Sequence, residues 1–168
     1  MDLGLAGKIA LVTGGSRGIG RAVGRSLAAE GCDVLLVGRD TAALDTAAAD
    51  IAEETGRRAT PLIADLRASE AIDALVEKIE GETGRIDILV NNAGATKRGD
   101  FVQLSDADWQ DGFALKFFGY VRLTRAAWPL LKAAGGSVIN IVGVGARTPS
   151  AEFTIGSSVN AGLLAFTK

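Results

Sequence analysis

At 168 residues, 48% of them apolar, the chain is long enough for one domain with a real core, and its formal net charge of −2 gives no bias towards nucleic acid or anionic membranes. It has no histidine and a single cysteine, Cys32. That excludes Ser-His-Asp and Cys-His catalysis and an internal disulfide, and it argues against a metal site. No apolar run approaches the ~20 residues that span a bilayer, and the opening "MDLGLAGK" lacks the apolar centre of a secretory signal. Cys32 begins an apolar run and reads as a small core residue, so the composition suits a reducing cytoplasm.

The first apolar run, "KIALVT" (8–13), reads as a buried strand and leads straight into "GGSRGIGRAV". Gly14, Gly18 and Gly20 are spaced so that a side chain at the first would obstruct the turn. Bare backbone at the second lets a pyrophosphate approach, and the third lets the following helix pack close on the strand. The N-terminus of that helix offers unpaired N–H groups and partial positive charge to phosphates. The second run, "DVLLVG" (33–38), ends at Gly38-Arg39. A site for NAD places Asp or Glu here, on the adenosine ribose 2′-hydroxyl. With no carboxylate there, and a guanidinium able to fork onto a 2′-phosphate, the pattern favours NADP(H) over NAD(H). Arg17 is a second candidate for the same phosphate. The plainer alternative makes Arg39 a solvated loop residue and Asp40 the cap of the next helix.

Leu44, Ala47, Ala48 and Ile51 then follow i, i+3, i+4, i+7, the stripe of a helix on a sheet. "ATPLIA" (59–64) is the third strand, and Asp65 after it is placed to accept a hydrogen bond from an adenine amino group. Ile72, Leu75, Val76 and Ile79 repeat the helical stripe. "IDILVN" (86–91) is the fourth strand, and Asn91, Asn92, Ala93 and Gly94 at its end are small enough for a cofactor to lie across the strand ends. A helical region over 105–134 follows. Seven of the nine aromatic residues fall between Phe101 and Trp128, which means either ordinary packing on the sheet or a second apolar face turned to a partner subunit. Pro129 should kink this region, and Gly135-Gly136 should end it. "SVINIV" (137–142) is the fifth strand. None of the five runs alternates strictly, as expected of parallel strands covered on both faces. The predicted class is α/β, a doubly wound parallel sheet in three layers.

"TGGSRGIG" (13–20), "ADL" (64–66) and "NNAG" (91–94), in that order and spacing, make the chain resemble the short-chain dehydrogenase/reductase family along all 168 residues. The resemblance implies one Rossmann domain over 1–168. It implies an NAD(P)H-dependent oxidoreductase that moves a hydride between nicotinamide and a carbonyl or alcohol. A small-molecule substrate is expected, with no nucleic-acid or membrane partner and a cytoplasmic location. It also implies a homodimer or homotetramer, formed through the aromatic-rich helix 105–134. The cofactor-binding set carried over is Gly14, Ser16, Arg17, Gly18, Ile19, Gly20, Arg39, Asp65, Leu66, Asn92, Ala93 and Gly94, with no metal. Family members are about half again this long, with two more strands and a substrate loop. The sequence therefore reads as truncated after the fifth strand and its helix, which would leave that strand an unpaired edge.

The family's reaction uses an Asn, a Ser, a Tyr and a Lys four residues after the Tyr. Carried over residue by residue, these positions hold Lys116 in "FALKFFG", Gly143 in "INIVGVG", Gly156 and Asn160. Adding a hydride to a carbonyl builds alkoxide charge that an acid must neutralise, and Ser157 and Ser158 are too weakly acidic. Lys116 is the one ionisable group the motifs bring to the site. Burial would lower its pKa towards that of a useful proton donor; alternatively it only fills the asparagine's space and points to solvent. Tyr120, one helical turn on, is expected on the same face as core or interface. Two readings stay open: an NADP(H)-dependent oxidoreductase with a non-standard catalytic set, or a non-catalytic NADP(H)-binding protein.

Overall fold

A computed structural model describes residues 2–168. The elements run β1 (Ile9–Thr13), α1 (Gly18–Ala29), β2 (Asp33–Gly38), α2 (Thr41–Thr55), β3 (Ala59–Ile63), α3 (Ser69–Thr83) and β4 (Ile88–Asn91). After them come α4 (Asp106–Phe113), a π-helical stretch (Ala114–Phe118), α5 (Gly119–Ala134), β5 (Ser137–Asn140) and α6 (Thr154–Phe166). The strands form one parallel sheet in the order β3-β2-β1-β4-β5. The expected class is what is found: a Rossmann-type, doubly wound α/β fold.

Register explains why the strand runs do not alternate. Leu11 pairs with Leu35 on one side and Leu89 on the other, and all three face α3 and α5. Their neighbours Val12, Leu36 and Val90 face α1 and α2. Both faces are covered, so successive residues must all be apolar. Burying each of the central leucines contributes about 2 kcal/mol. The two predicted helical stripes are the buried residues of α2 and α3. Asp40 caps α2 by accepting from the Ala43 N–H, as the plainer alternative had it. Cys32 is a buried core thiol. The opposite end of the sheet from the strand exits is tied by Asp87, whose carboxylate accepts from the Ile9 N–H, Lys8 and Arg85. Burial alone would raise its pKa, but these donors outweigh that and hold it below the usual range.

The region 105–134 is not one regular helix. Ser105 and Asp108 close a capping box at the start of α4. The chain then widens into the π turn, in which the Gly119 N–H reaches back five residues to the Ala114 carbonyl. Two side chains that the sequence placed on one face, one on each side of the end of this stretch, have different surroundings. Lys116 lines a cleft, whereas Tyr120 is buried with Ile155, Val159 and Leu163 of α6. α5 continues through Pro129 to Ala134, and Gly135 ends it in the left-handed conformation, φ +60°. Of the aromatic residues, Trp109, Phe113 and Phe117 pack inward against the cluster holding α6, while Phe118 and Trp128 stay exposed. β5 is an edge strand. Among the described residues no helix is long and apolar enough to cross a membrane.

Candidate functional site

The chain leaves β1 to build β2 and β3 on one side, then crosses to place β4 on the other side of β1. The exits of β1 and β4 are therefore neighbours, and a crevice opens between them, as at the switch point of other open α/β sheets. Thr13 and Asn92 hold the two exits together. The Thr13 hydroxyl accepts from the Asn92 N–H at 2.8 Å and the Ala93 N–H at 3.0 Å, and Asn92 Nδ2 donates to the Thr13 carbonyl at 2.9 Å. Asn91 ties the same exit sideways, donating to Thr124 on α5 and to Asn140 on β5.

The glycine loop has the shape its spacing predicts. Gly14 has φ +67°, and a β-carbon there would lie 2.8 Å from Asn92 Nδ2. At Gly20 it would fall on the Gly14 carbonyl, so only glycine lets α1 start this close to the loop. Gly18 has φ +55° and open space on its free side. Arg17, the residue before α1, contributes no side-chain cap, and the first turn has no acid. The helix thus presents uncapped N–H groups and the positive end of its dipole to the crevice.

The resulting cleft has a volume of ≈ 630 Å³, within the range of small-molecule sites. All of the expected cofactor positions except Gly18 and Gly20 line it, and so does Lys116. Arg39 lies at the rim, 3.6 Å from Asp65 in a solvent-exposed pair. Asp65 also accepts from the Arg67 N–H at 3.0 Å. Arg17 is exposed and makes no ion pair among the described residues. The Lys116 stem lies against Gly94, where a β-carbon would meet its Cδ at 2.8 Å. Burial pushes the Lys116 ammonium below the ordinary lysine pKa. It pushes the Tyr120 phenol up, so Tyr120 is a core residue and not an acid at neutral pH. A larger apolar groove, ≈ 1050 Å³, lies elsewhere, between Trp128 and Lys132 of α5, Val138 of β5 and Phe166. It has neither the glycine loop nor a helix N-terminus, so the chemistry belongs to the smaller cleft.

The positions where the family carries its Ser, Tyr and Lys form one closed unit. Asn160, 2% exposed, accepts from the Gly143 N–H at 2.7 Å through Oδ1 and donates to the Gly156 carbonyl at 2.7 Å through Nδ2. A β-carbon at Gly156 would overlap the ring of Phe153, which fills the room a larger side chain would need. Sequence reasoning found the empty positions but not what occupies them. It also missed Thr13, whose signal was a hydroxyl residue at a strand end beside a glycine turn. For Phe153 there was no signal, because only the fold brings the ring back over Gly156. Among the described residues no three His, Cys, Asp or Glu side chains are placed to hold a metal ion.

A parallel sheet with a glycine turn, an open helix N-terminus and a cleft at its switch point defines a nucleotide-binding α/β protein. The chain belongs to the short chain dehydrogenase family, whose model matches residues 8–168, and so to a family of oxidoreductases. It is 39% identical to nodulation protein G of Rhizobium sp. (strain N33) over 98% of this chain and 66% of that protein. The L-sorbose reductase of Gluconobacter frateurii, solved with NADPH and L-sorbose, superimposes with a TM-score of 0.95 at 35% identity, over 99% of this chain and 64% of that one. A metagenomic short-chain oxidoreductase in complex with NADP gives 0.92 at 34% identity, over 96% and 74%. The chain thus spans about two thirds of the length of the first two relatives.

Proposed function

We propose that residues 1–168 act as one NADP(H)-binding unit of an oxidoreductase that works on a carbonyl or alcohol in the cytoplasm, with a non-standard catalytic set. One observation carries this reading: the cleft at the β1/β4 exits has guanidiniums, Arg17 and Arg39, at the rim where an NAD site wants a carboxylate. The open space at Gly18 and the uncapped start of α1 suit a pyrophosphate. Arg39 and Arg17 would hold the 2′-phosphate, and Asp65 and Leu66 would border the adenine. The two neighbours solved with NADPH and NADP support the same cofactor. When bound, the nicotinamide would give or take the hydride.

Lys116 supplies the proton in this reading. As the carbonyl carbon gains the hydride, the ammonium at Nζ gives its proton to the carbonyl oxygen and is then recharged from solvent. Its lowered pKa makes it a stronger acid than a solvated lysine. A second reading, cofactor binding without turnover, is favoured by the Phe153 ring filling the space at Gly156. The deciding experiment follows NADPH oxidation over a panel of aldehydes, ketones and quinones, with cofactor affinity titrated in parallel. Turnover that drops at least about a hundredfold in Lys116→Met, with NADPH affinity unchanged, supports the enzyme reading. Tight NADPH binding with no turnover on any member favours the second.

A further inference from the structure

Gly156 leaves room that Phe153, three residues earlier, takes up. A β-carbon at Gly145, in the loop after β5, would sit 3.2 Å from the same ring and 3.3 Å from Ser157 Oγ. Phe153 therefore stands where that loop meets the first turn of α6, beside the unit formed by Gly143, Gly156 and Asn160. Over its face lies the guanidinium of Arg98, with Cζ 4.0 Å from the ring centroid. Arg98 comes from the segment leaving β4, four residues beyond Gly94 in the cleft wall. The Gly99 N–H donates to the Glu152 carbonyl at 3.0 Å, which fastens this segment to the short helix carrying Phe153.

What stands out is that Arg98 has no anion. Its neighbour Lys97 pairs with Asp108 at 2.9 Å, yet neither Arg98 nor Glu152 makes an ion pair among the described residues. Stacking fixes the plane of a guanidinium while leaving the N–H groups along its edge free. Those edges form a fork that matches the two oxygens of a carboxylate or phosphate. A second observation lies in the turn of α6 that Phe153 packs against. Ser157 Oγ, in a residue 7% exposed, is buried beside the Phe153 ring with no hydrogen-bond partner, and Thr154 Oγ1 is buried without one as well. Such hydroxyls are costly unless something accepts or donates to them. Lys116, in the lining of the cleft, is likewise unpaired among the described residues, so a second cation without a partner stands on the cleft side.

We propose that Arg98, held in place by Phe153, recognises an oxyanion on the substrate, so that the carbonyl compound or alcohol taken here carries a carboxylate or a phosphate. This rests on the oxidoreductase reading above and names its substrate class. Phe153 is a positioning residue, and Arg98 sets specificity; neither donates the proton.

The test is calorimetric binding of matched probes: acetoacetate against its neutral methyl ester, and dihydroxyacetone phosphate against dihydroxyacetone. Each is titrated with and without saturating NADP⁺, into the parent protein, Arg98→Gln and Arg98→Lys, with thermal melting as the folding control. The expected result is that at least one anionic probe binds about tenfold or more tightly than its neutral partner. Raising salt should weaken that probe alone. Arg98→Gln should erase the preference, and Arg98→Lys should keep part of it, with NADPH affinity unchanged in both. Whether acetoacetate or dihydroxyacetone phosphate responds tells carboxylate from phosphate. Equal affinities within each pair, a preference that survives Arg98→Gln, or no binding of any probe would overturn the proposal. Failure of NADP(H) to bind would overturn the cofactor reading alone, because the titrations without cofactor still report on Arg98.

Discussion

Arg39 and Asp65 meet at 3.6 Å across the cleft rim with both side chains well exposed, a pair worth no more than about 1 kcal/mol. So weak a partner is easily displaced, and Arg39 remains available to a phosphate. Arg39→Asp removes a charge-assisted contact worth about 1.5–3 kcal/mol and replaces it with repulsion. NADPH affinity should fall by at least about tenfold while NADH affinity holds or rises, measured by quenching of protein fluorescence. An unaltered preference would contradict the assignment of the 2′-phosphate. Lys116 makes a pH argument at the same scale. Burial lowers its pKa, so the proton-bearing form is complete only below that lowered value. The reduction rate should therefore be highest at low pH and decline as pH rises through a value below that of a solvated lysine. In Lys116→Met this limb should disappear. The sign for stability is the reverse of a paired lysine: the folded state binds fewer protons than the unfolded state, so stability rises with pH in the window between the two pKa values. Lys116→Met should raise the Tm at neutral pH, and the gain should shrink as the pH approaches 10.5, the ordinary lysine value.

Between elements, small polar side chains decide where the loops stand. Asn160 bridges α6 to the exit of β5 with two short hydrogen bonds while almost fully buried. Asn160→Ala leaves the Gly143 N–H without its acceptor, while the Gly156 carbonyl keeps its helical bond inside α6, at a cost of about 1–3 kcal/mol, readable as a lower urea midpoint with an unchanged m-value. Gly156→Tyr drives a side chain into the Phe153 ring, so on its own it should destabilise the protein and confer no activity. The elements themselves were largely legible in the sequence. The apolar runs of β1, β2 and β4 and the stripes of α2 and α3 are local patterns with one solution each, and so is the glycine turn with its three different steric demands. What the sequence hid depends on contacts between distant segments. The π turn at Ala114–Phe118 has no local signature; its widened geometry is seen only once Gly119 is packed under the Leu66 carbonyl. Phe153 over Gly156, Arg98 over Phe153 and the Thr13–Asn92 staple likewise exist only after folding.

The whole molecule raises the question of what covers its remaining apolar surface. Phe118 and Trp128 lie on the helical region 105–134, 44% and 56% exposed, and the side chains around them on this region that face inward are already buried. Exposed aromatics of this size are ready contacts for another surface, because each offers up to about 150–250 Å² of contact area. A two-fold pairing of this helical region would place the same patch on both copies, the simplest closed arrangement. We therefore expect a homodimer or homotetramer built through 105–134. Phe118→Glu combined with Trp128→Glu puts charges into that contact without touching the cleft, whose lining includes neither residue. Light scattering after gel filtration should show the parent protein as an oligomer and the double variant as a monomer with NADPH affinity retained. A parent protein that runs as a monomer at about 50 μM would remove the oligomer from the account, since interfaces of ordinary size hold at such concentrations. A double variant that stays oligomeric would move the interface away from this helical region and from the groove that Trp128 lines.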